Sequence, residues 1–321
     1  MRRGLAFTLA LAVLAPIPVA LAQRDAGTSA EPPTPGAPAA PPTAAPGAAA
    51  PAAAPPPGVA EGDGDEGDHP PAAAAAAVKP PPFQRQPAVL KDGMLRIPGG
   101  RFTMGTSEKA APPNERPARA VAVAPFWIDR TEVTVAAYRA CVDRGACARP
   151  PRTSPSCTFD QADGQLPISC VPWSSANAYC LAVQKRLPRE VEWENAARGT
   201  LAIPYPWGGG GKGGHGCGAA AILAGETTNR SCSGKHPSKV GAHGGGASPY
   251  GVLDMSGNVE EWVSDWYADS VSELSPRAGA SHVLRGGGWL TVPSLARTTS
   301  RNWGSVREAG ANVGFRCAKD D

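Results

Sequence analysis

Apolar positions in LRIPGGRFTM, residues 95–104, alternate with turn formers, the pattern of a strand running into a tight turn. From residue 131 the period changes. In TEVTVAAYRACVDRG, Tyr138, Cys141 and Val142 fall on one helical face, with Thr131 or Thr134 as the cap and Gly145 as the stop. A second stripe, Ala176, Tyr179, Cys180 and Val183, predicts a helix over 174–184 capped by Ser174 or Ser175. REVEWENAARG, after Leu187-Pro188, predicts a third, with Pro188 near its first turn and Gly199 as its C-terminal cap. Beyond residue 219 the pattern dissolves into long irregular connections with short strand candidates such as HVLRG at 282–286. Strands and helices do not alternate regularly, so an α+β domain with much loop is expected rather than a doubly wound sheet.

The patterned region starts near residue 89, and what precedes it reads differently. Residues 1–22 place Arg2 and Arg3 before the apolar run FTLALAVLA and end on Ala20-Leu21-Ala22, the small-x-small pattern of a signal peptide. That run is short for a bilayer span. The mature chain is expected to begin near Gln23, an uncleaved anchor being the rival reading. A lipid anchor is not expected, because no cysteine follows the cut. Residues 23–88 are dominated by Ala, Pro and Gly around the acidic patch EGDGDEGD at 61–68. Such a stretch has too little apolar surface to offset the entropy of ordering it, so it reads as a disordered, semi-stiff linker. The folded domain is then 89–321.

Charge and cysteine usage narrow the class. The formal net charge is +3; the signal segment contributes two positive charges and 23–88 a surplus of four negative ones, which leaves the domain with five positive. No Lys/Arg cluster interleaves with aromatics, so a nucleic-acid partner is not expected. All eight cysteines lie between 141 and 317. An even count behind a signal peptide reads as a disulfide framework in a secreted or periplasmic protein, without a membrane span after cleavage. Neither a C-x-x-C pair nor H-E-x-x-H supports zinc. PWGGGGKGGHGCG at 206–218 has the glycine density of a phosphate loop, but Lys212 is followed by glycine and no apolar strand precedes it. The histidines yield no Ser-His-Asp arrangement, and His236 and His243 read as solvent-exposed.

Several phrases occur in a characteristic order: IPGGRFTMG with FWIDRTEVT, AYCLAVQKRLPREVEWENAARG at 178–199, YPWGG, SPYGVLDMSGNVEEW, VLRGGGW and GFRC. Together they resemble the formylglycine-generating enzyme (sulfatase-modifying factor) family, from about Ile97 to Cys317. The resemblance implies a C-type-lectin-like α+β fold with little regular secondary structure. It also implies a disulfide between Cys180 and Cys317. Cys217 and Cys232, close in sequence around a Gly/Ala-rich loop, are paired on that ground. Cys141, Cys147, Cys157 and Cys170 retain three connectivities.

Active members of the family oxidise a sulfatase cysteine with a copper ion held between two cysteines five apart, just after an RGGS phrase. Those positions fall here on Thr291 and Ala296, and the serine position is Gly288. Copper(I) favours thiolate ligands, so copper and formylglycine formation are not expected. The resemblance further implies calcium on the side chains of Asp254 and Glu261 and the carbonyls of Gly257 and Val259, hard oxygen donors suited to that ion. A second family calcium site needs an asparagine where Ala220 stands. Trp193, Trp207, Trp262 and Trp289 sit in scaffold phrases and read as buried. Arg297, Arg301 and Trp303 are candidates for the lining of the old active-site cleft, the arginines either as holders of a carboxylate or acidic glycan or as partners in structural salt bridges.

The expected function is that of a bacterial envelope protein, monomeric, that uses this cleft to bind a peptide, protein or glycan and has lost the oxidase chemistry. An oxidase or other catalyst built from different cleft residues is the alternative from another class. A structural envelope component is the third.

Overall fold

The computed structural model describes residues 89–208, 217–271 and 279–321. The signal and linker readings, and most of the glycine run at 206–218, lie outside the described residues. Strands β1 (Val89–Lys91), β2 (Met94–Ile97), β3 (Gly100–Met104), β4 (Arg119–Val123) and β5 (Phe126–Asp129) come first. Helices α1 (Val135–Asp143), α2 (Trp173–Ala182) and α3 (Glu190–Arg198) follow. The chain ends with β6 (Glu260–Trp266), β7 (Ser281–Arg285), β8 (Arg301–Ser305), β9 (Val313–Gly314) and β10 (Ala318–Asp320). The strands form sheets of order β1-β2-β5-β10, β3-β4 and β8-β7-β6-β9. This is the expected α+β arrangement, short elements joined by long connections.

Local chemistry accounts for the helix ends. Thr134, not Thr131, caps α1, its Oγ1 accepting from Ala137 N at 3.2 Å. Gly145 leaves the helix at φ 72°, a backbone that glycine adopts without penalty. The expected serine cap of α2 is corrected: the helix starts at Trp173, and the carbonyl of Pro172 accepts from Ser175 N and Ala176 N. Proline already holds a φ compatible with helix entry, so no side-chain cap is needed. Helix α3 begins where the Glu192 carboxylate accepts from Arg189 N at 2.8 Å and ends at Gly199.

Two apolar clusters fill the domain. One joins α1 and α2 through Tyr138, Tyr179 and Cys180 to Trp262, Phe315 and Cys317. The other sets Trp193, Ala196 and Ala197 of α3 against Ile97, Phe102, Phe126 and Val283. Helix α3 departs from simple amphipathic logic, because Glu190, Glu192 and Glu194 are all buried. Arginines neutralise them, Arg198 from the same helix and the others from outside it. Arg285 Nη2 lies 2.5 Å from Glu194, Arg198 Nη1 2.9 Å from the same carboxylate, and Arg301 holds Glu190 through Nε and Nη2 at 2.6 and 2.9 Å. Arg186 and Arg189 hold Glu192.

Four disulfides complete the framework: Cys141–Cys147, Cys157–Cys170, Cys180–Cys317 and Cys217–Cys232. The first two resolve the connectivity that the sequence left open. Cys180–Cys317 spans 137 residues and ties α2 to the chain end. Closing a loop of that length stabilises by about 5 kcal/mol in the chain-entropy account. Four bridges point to an oxidising compartment. No helix among the described residues is long and apolar enough to cross a membrane.

Candidate functional site

A cavity of about 540 Å³ opens beside β6 and β8, bounded by Glu260, Thr291, Leu295, Arg301, Asn302 and Trp303. Its mouth is apolar: Trp303 is 50% exposed, Leu290 49% and Leu295 54%. Trp303 stacks on Tyr267 with ring centroids 4.4 Å apart, which fixes the indole while leaving half of it open.

The copper positions have separated in character. Thr291 lines the cavity, its Oγ1 accepting from Gly288 N at 2.9 Å. Ala296 is fully buried in a small apolar cluster with Ala220 and Ile222. Ala220, at the second calcium position, therefore presents a methyl group to packing rather than an oxygen to a metal. A serine at position 288 would require the Asn312 side chain to move, because a Cβ there would lie 2.1 Å from Asn312 Oδ1. All eight cysteines are in disulfides. The residues present do not fit a thiolate-held copper ion.

The candidate arginines are occupied within the fold. Arg301 Nη1 donates to the carbonyls of Asn114 and Ala268, both at 2.9 Å, while its other donors hold Glu190. Arg297 grips Glu115 through Nη1 and Nη2 at 3.0 and 2.8 Å. Of the two roles expected for these arginines, the salt-bridge one describes them: their charge is answered internally, and of the two only Arg301 borders the cavity. Of the two histidines read as exposed, His236 is so, whereas His243 is half-buried with Nε2 2.9 Å from Ser238 Oγ.

Successive strand residues face opposite ways, and the two acids opening β6 illustrate it. Glu261 points inward, accepting from Trp193 Nε1 at 2.8 Å and from Arg316 Nε and Nη2 at 2.7 and 2.6 Å. Glu260 points to the cavity, only 8% exposed, with Asn302 Nδ2 donating to it at 3.1 Å. Desolvation pushes its carboxyl up to about 7; Asn302 opposes the shift and Glu308 adds to it. The sequence reading passed over Glu260. The available signal was a pair of adjacent acids in an otherwise apolar strand, which cannot both be solvated on one face.

The calcium residues gather around a buried acidic centre. Asp254 Oδ2 accepts from Gly241 N at 2.6 Å, and Gly257 sits at φ 89° with Ala221 O only 2.5 Å from where a Cβ would be. Glu132 Oε1 accepts from Asn258 Nδ2 at 3.0 Å, but Glu132 Oε2 and Asn258 Oδ1 are buried without a hydrogen-bond partner. Desolvation foremost, then Asp254 and Glu261, raise the Glu132 carboxyl well above its ordinary range, against the pull of Arg316. Unpartnered oxygens amid surplus negative charge suit a hard cation. Among the described residues no three or more His, Cys, Asp or Glu side chains are grouped to hold one metal, so an ion here needs backbone carbonyls as well.

This fold and cavity define a formylglycine-generating-type domain without the copper thiols. The description "Sulfatase-modifying factor enzyme 1-like domain" matches residues 79–321, and the chain belongs to that family. It is 32% identical to the formylglycine-generating enzyme of Streptomyces coelicolor, over 71% of this chain and 89% of that one. It is 31% identical to the inactive C-alpha-formylglycine-generating enzyme 2 of Mus musculus, over 70% and 85%. Among solved structures it is similar to PvdO from Pseudomonas aeruginosa, with TM-score 0.61, 28% identity, and coverage of 71% of this chain and 94% of that one. Relatives with active and inactive names share the scaffold, so membership alone does not fix the chemistry.

Glu260 supplies a pH test. The unfolded carboxyl loses its proton near 4.5 and the folded one near 7, so its contribution to stability falls as pH rises through that window. Glu260→Gln removes this cost and is expected to stabilise the domain by about 3 kcal/mol near pH 8 and by little near pH 4. Equal denaturation curves for the variant and native chains at both pH values contradict it.

Proposed function

We propose that this family member is a secreted or periplasmic binding protein that receives a peptide or glycan in the cavity at the former copper position. The observation that carries the reading is the half-exposed Trp303, braced by Tyr267 over a cavity that Thr291, and no cysteine, lines. Exposed leucines at the mouth provide apolar contact. Asn302, Asn312 and Ser300 provide hydrogen-bonding groups at the wall. The expected test result is binding of the full mature chain to a subset of a peptide and glycan array. Trp303→Ala should weaken those interactions by about 2 kcal/mol, as loss of an interfacial aromatic anchor does. An array without hits, or hits indifferent to Trp303→Ala, contradicts this reading.

Calcium would serve as structural support held by Asp254 and the carbonyls of Gly257 and Val259, the expected ligand Glu261 being committed to Arg316 and Trp193 instead. The orphaned oxygens of Glu132 and Asn258 support it. Calcium at a hundredfold excess over its dissociation constant should stabilise the chain by about 2.7 kcal/mol, and Asp254→Ala should abolish the gain. Identical melting with calcium and with chelator rules it out.

A further inference from the structure

Nearly every charged group around the cavity is answered inside the fold. Glu115 is bound by Arg297 and by Thr299 Oγ1, the latter at 2.6 Å. Arg301 is bound by Glu190, and Arg285 of β7 by Glu194. From β9 onward, Arg316 is bound by Glu261. Helix α3 brings Glu190, Glu192, Glu194 and Arg198, all in ion pairs, while α2 carries no charged side chain. His282 of β7 is wedged between Trp173 and Trp266, with ring centroids 3.7 and 3.8 Å away, and burial lowers its basicity. Beyond β8, Arg307 and Glu308 are exposed.

Glu260 is the exception. Asn302, a neutral amide, is the hydrogen-bond donor recorded on its carboxylate, and the charge that acts on it is the like charge of Glu308. A buried carboxylate facing an open cavity without a counter-ion is costly, and an incoming cation removes that cost. Trp303 borders the same cavity, and an indole face attracts a cation within about 6 Å of its centre.

We propose that the cavity selects a ligand carrying an ammonium group, a lysine side chain or a peptide N-terminus, with the Glu260 carboxylate as counter-ion and Trp303 as aromatic wall. This rests on the binding reading above and names its ligand class. The amine sheds water between these two groups and hands Glu260 the positive partner that the fold withholds. A neutral glycan makes no such use of the carboxylate.

The test measures binding of three probes to the full mature chain: N-acetyl-lysine methylamide, its norleucine counterpart and a neutral trisaccharide. The lysine probe should bind tightest, because it alone brings a positive charge to the buried Glu260 carboxylate at the cavity wall. Glu260→Gln, checked for folding by its melting curve, should lose the preference for lysine over norleucine. Equal binding of the two amino-acid probes, or preference for the trisaccharide, overturns the proposal and leaves the binding reading standing. Failure of all three probes also overturns it, and the array then decides separately whether the cavity binds anything.

Discussion

The domain depends on carboxylates of one short helix held in its dry interior by arginines, most of them from distant parts of the chain and one from the helix itself. Glu190 and Glu194 of α3 meet Arg301, Arg285 and Arg198, and the Glu194 carboxylate also receives Gly105 N at 2.7 Å. Removing one partner from such a pair typically costs about 3 to 5 kcal/mol, because the other charge stays buried and unanswered. The network also fixes the site. Arg301 forms part of the cavity wall and is oriented by Glu190. The same commitment withdraws its guanidinium from ligand binding. A positive cleft, suggested by the two arginines in sequence, is therefore neutral where they stand, and its character passes to Glu260.

What was legible in sequence follows a consistent line. Helices α1 and α3 were visible through local devices, a threonine cap and terminal glycines whose chemistry lies within a few residues of the element. The start of α2 was misassigned by one residue, since Pro172 provides the entry without a side chain. Burial of the α3 acids could not be read, because Arg285 and Arg301 lie about ninety or more residues away and only the tertiary fold brings them together. Family phrases covered the fold well and suggested Thr291 and Ala296 as the counterparts of the copper cysteines. They did not distinguish Thr291, at an open cavity, from Ala296, sealed in apolar packing.

The replacements at the old active site form one physical set. A serine at 288 would displace Asn312, whose Oδ1 receives Leu290 N at 3.2 Å, so this loop is packed around a glycine. Ala296 completes an apolar cluster with Ala220 and Ile222 that a metal-binding thiolate would disturb. Meanwhile the adjacent acids of β6 divide their labour by strand alternation. Glu261 anchors Arg316 in the core, and Glu260 gives the cavity a carboxyl whose proton affinity is raised by burial.

The central claim is that the residues present do not fit a thiolate-held copper ion, from which we propose that the chain does not form formylglycine. The most direct measurement incubates the full mature chain, its disulfides formed, with copper and oxygen and a sulfatase-type cysteine peptide, and assays the peptide for aldehyde. The account predicts no aldehyde and no tightly held copper. Catalytic aldehyde formation would contradict it, since it would require a copper site that the paired cysteines, Thr291 and Ala296 do not provide.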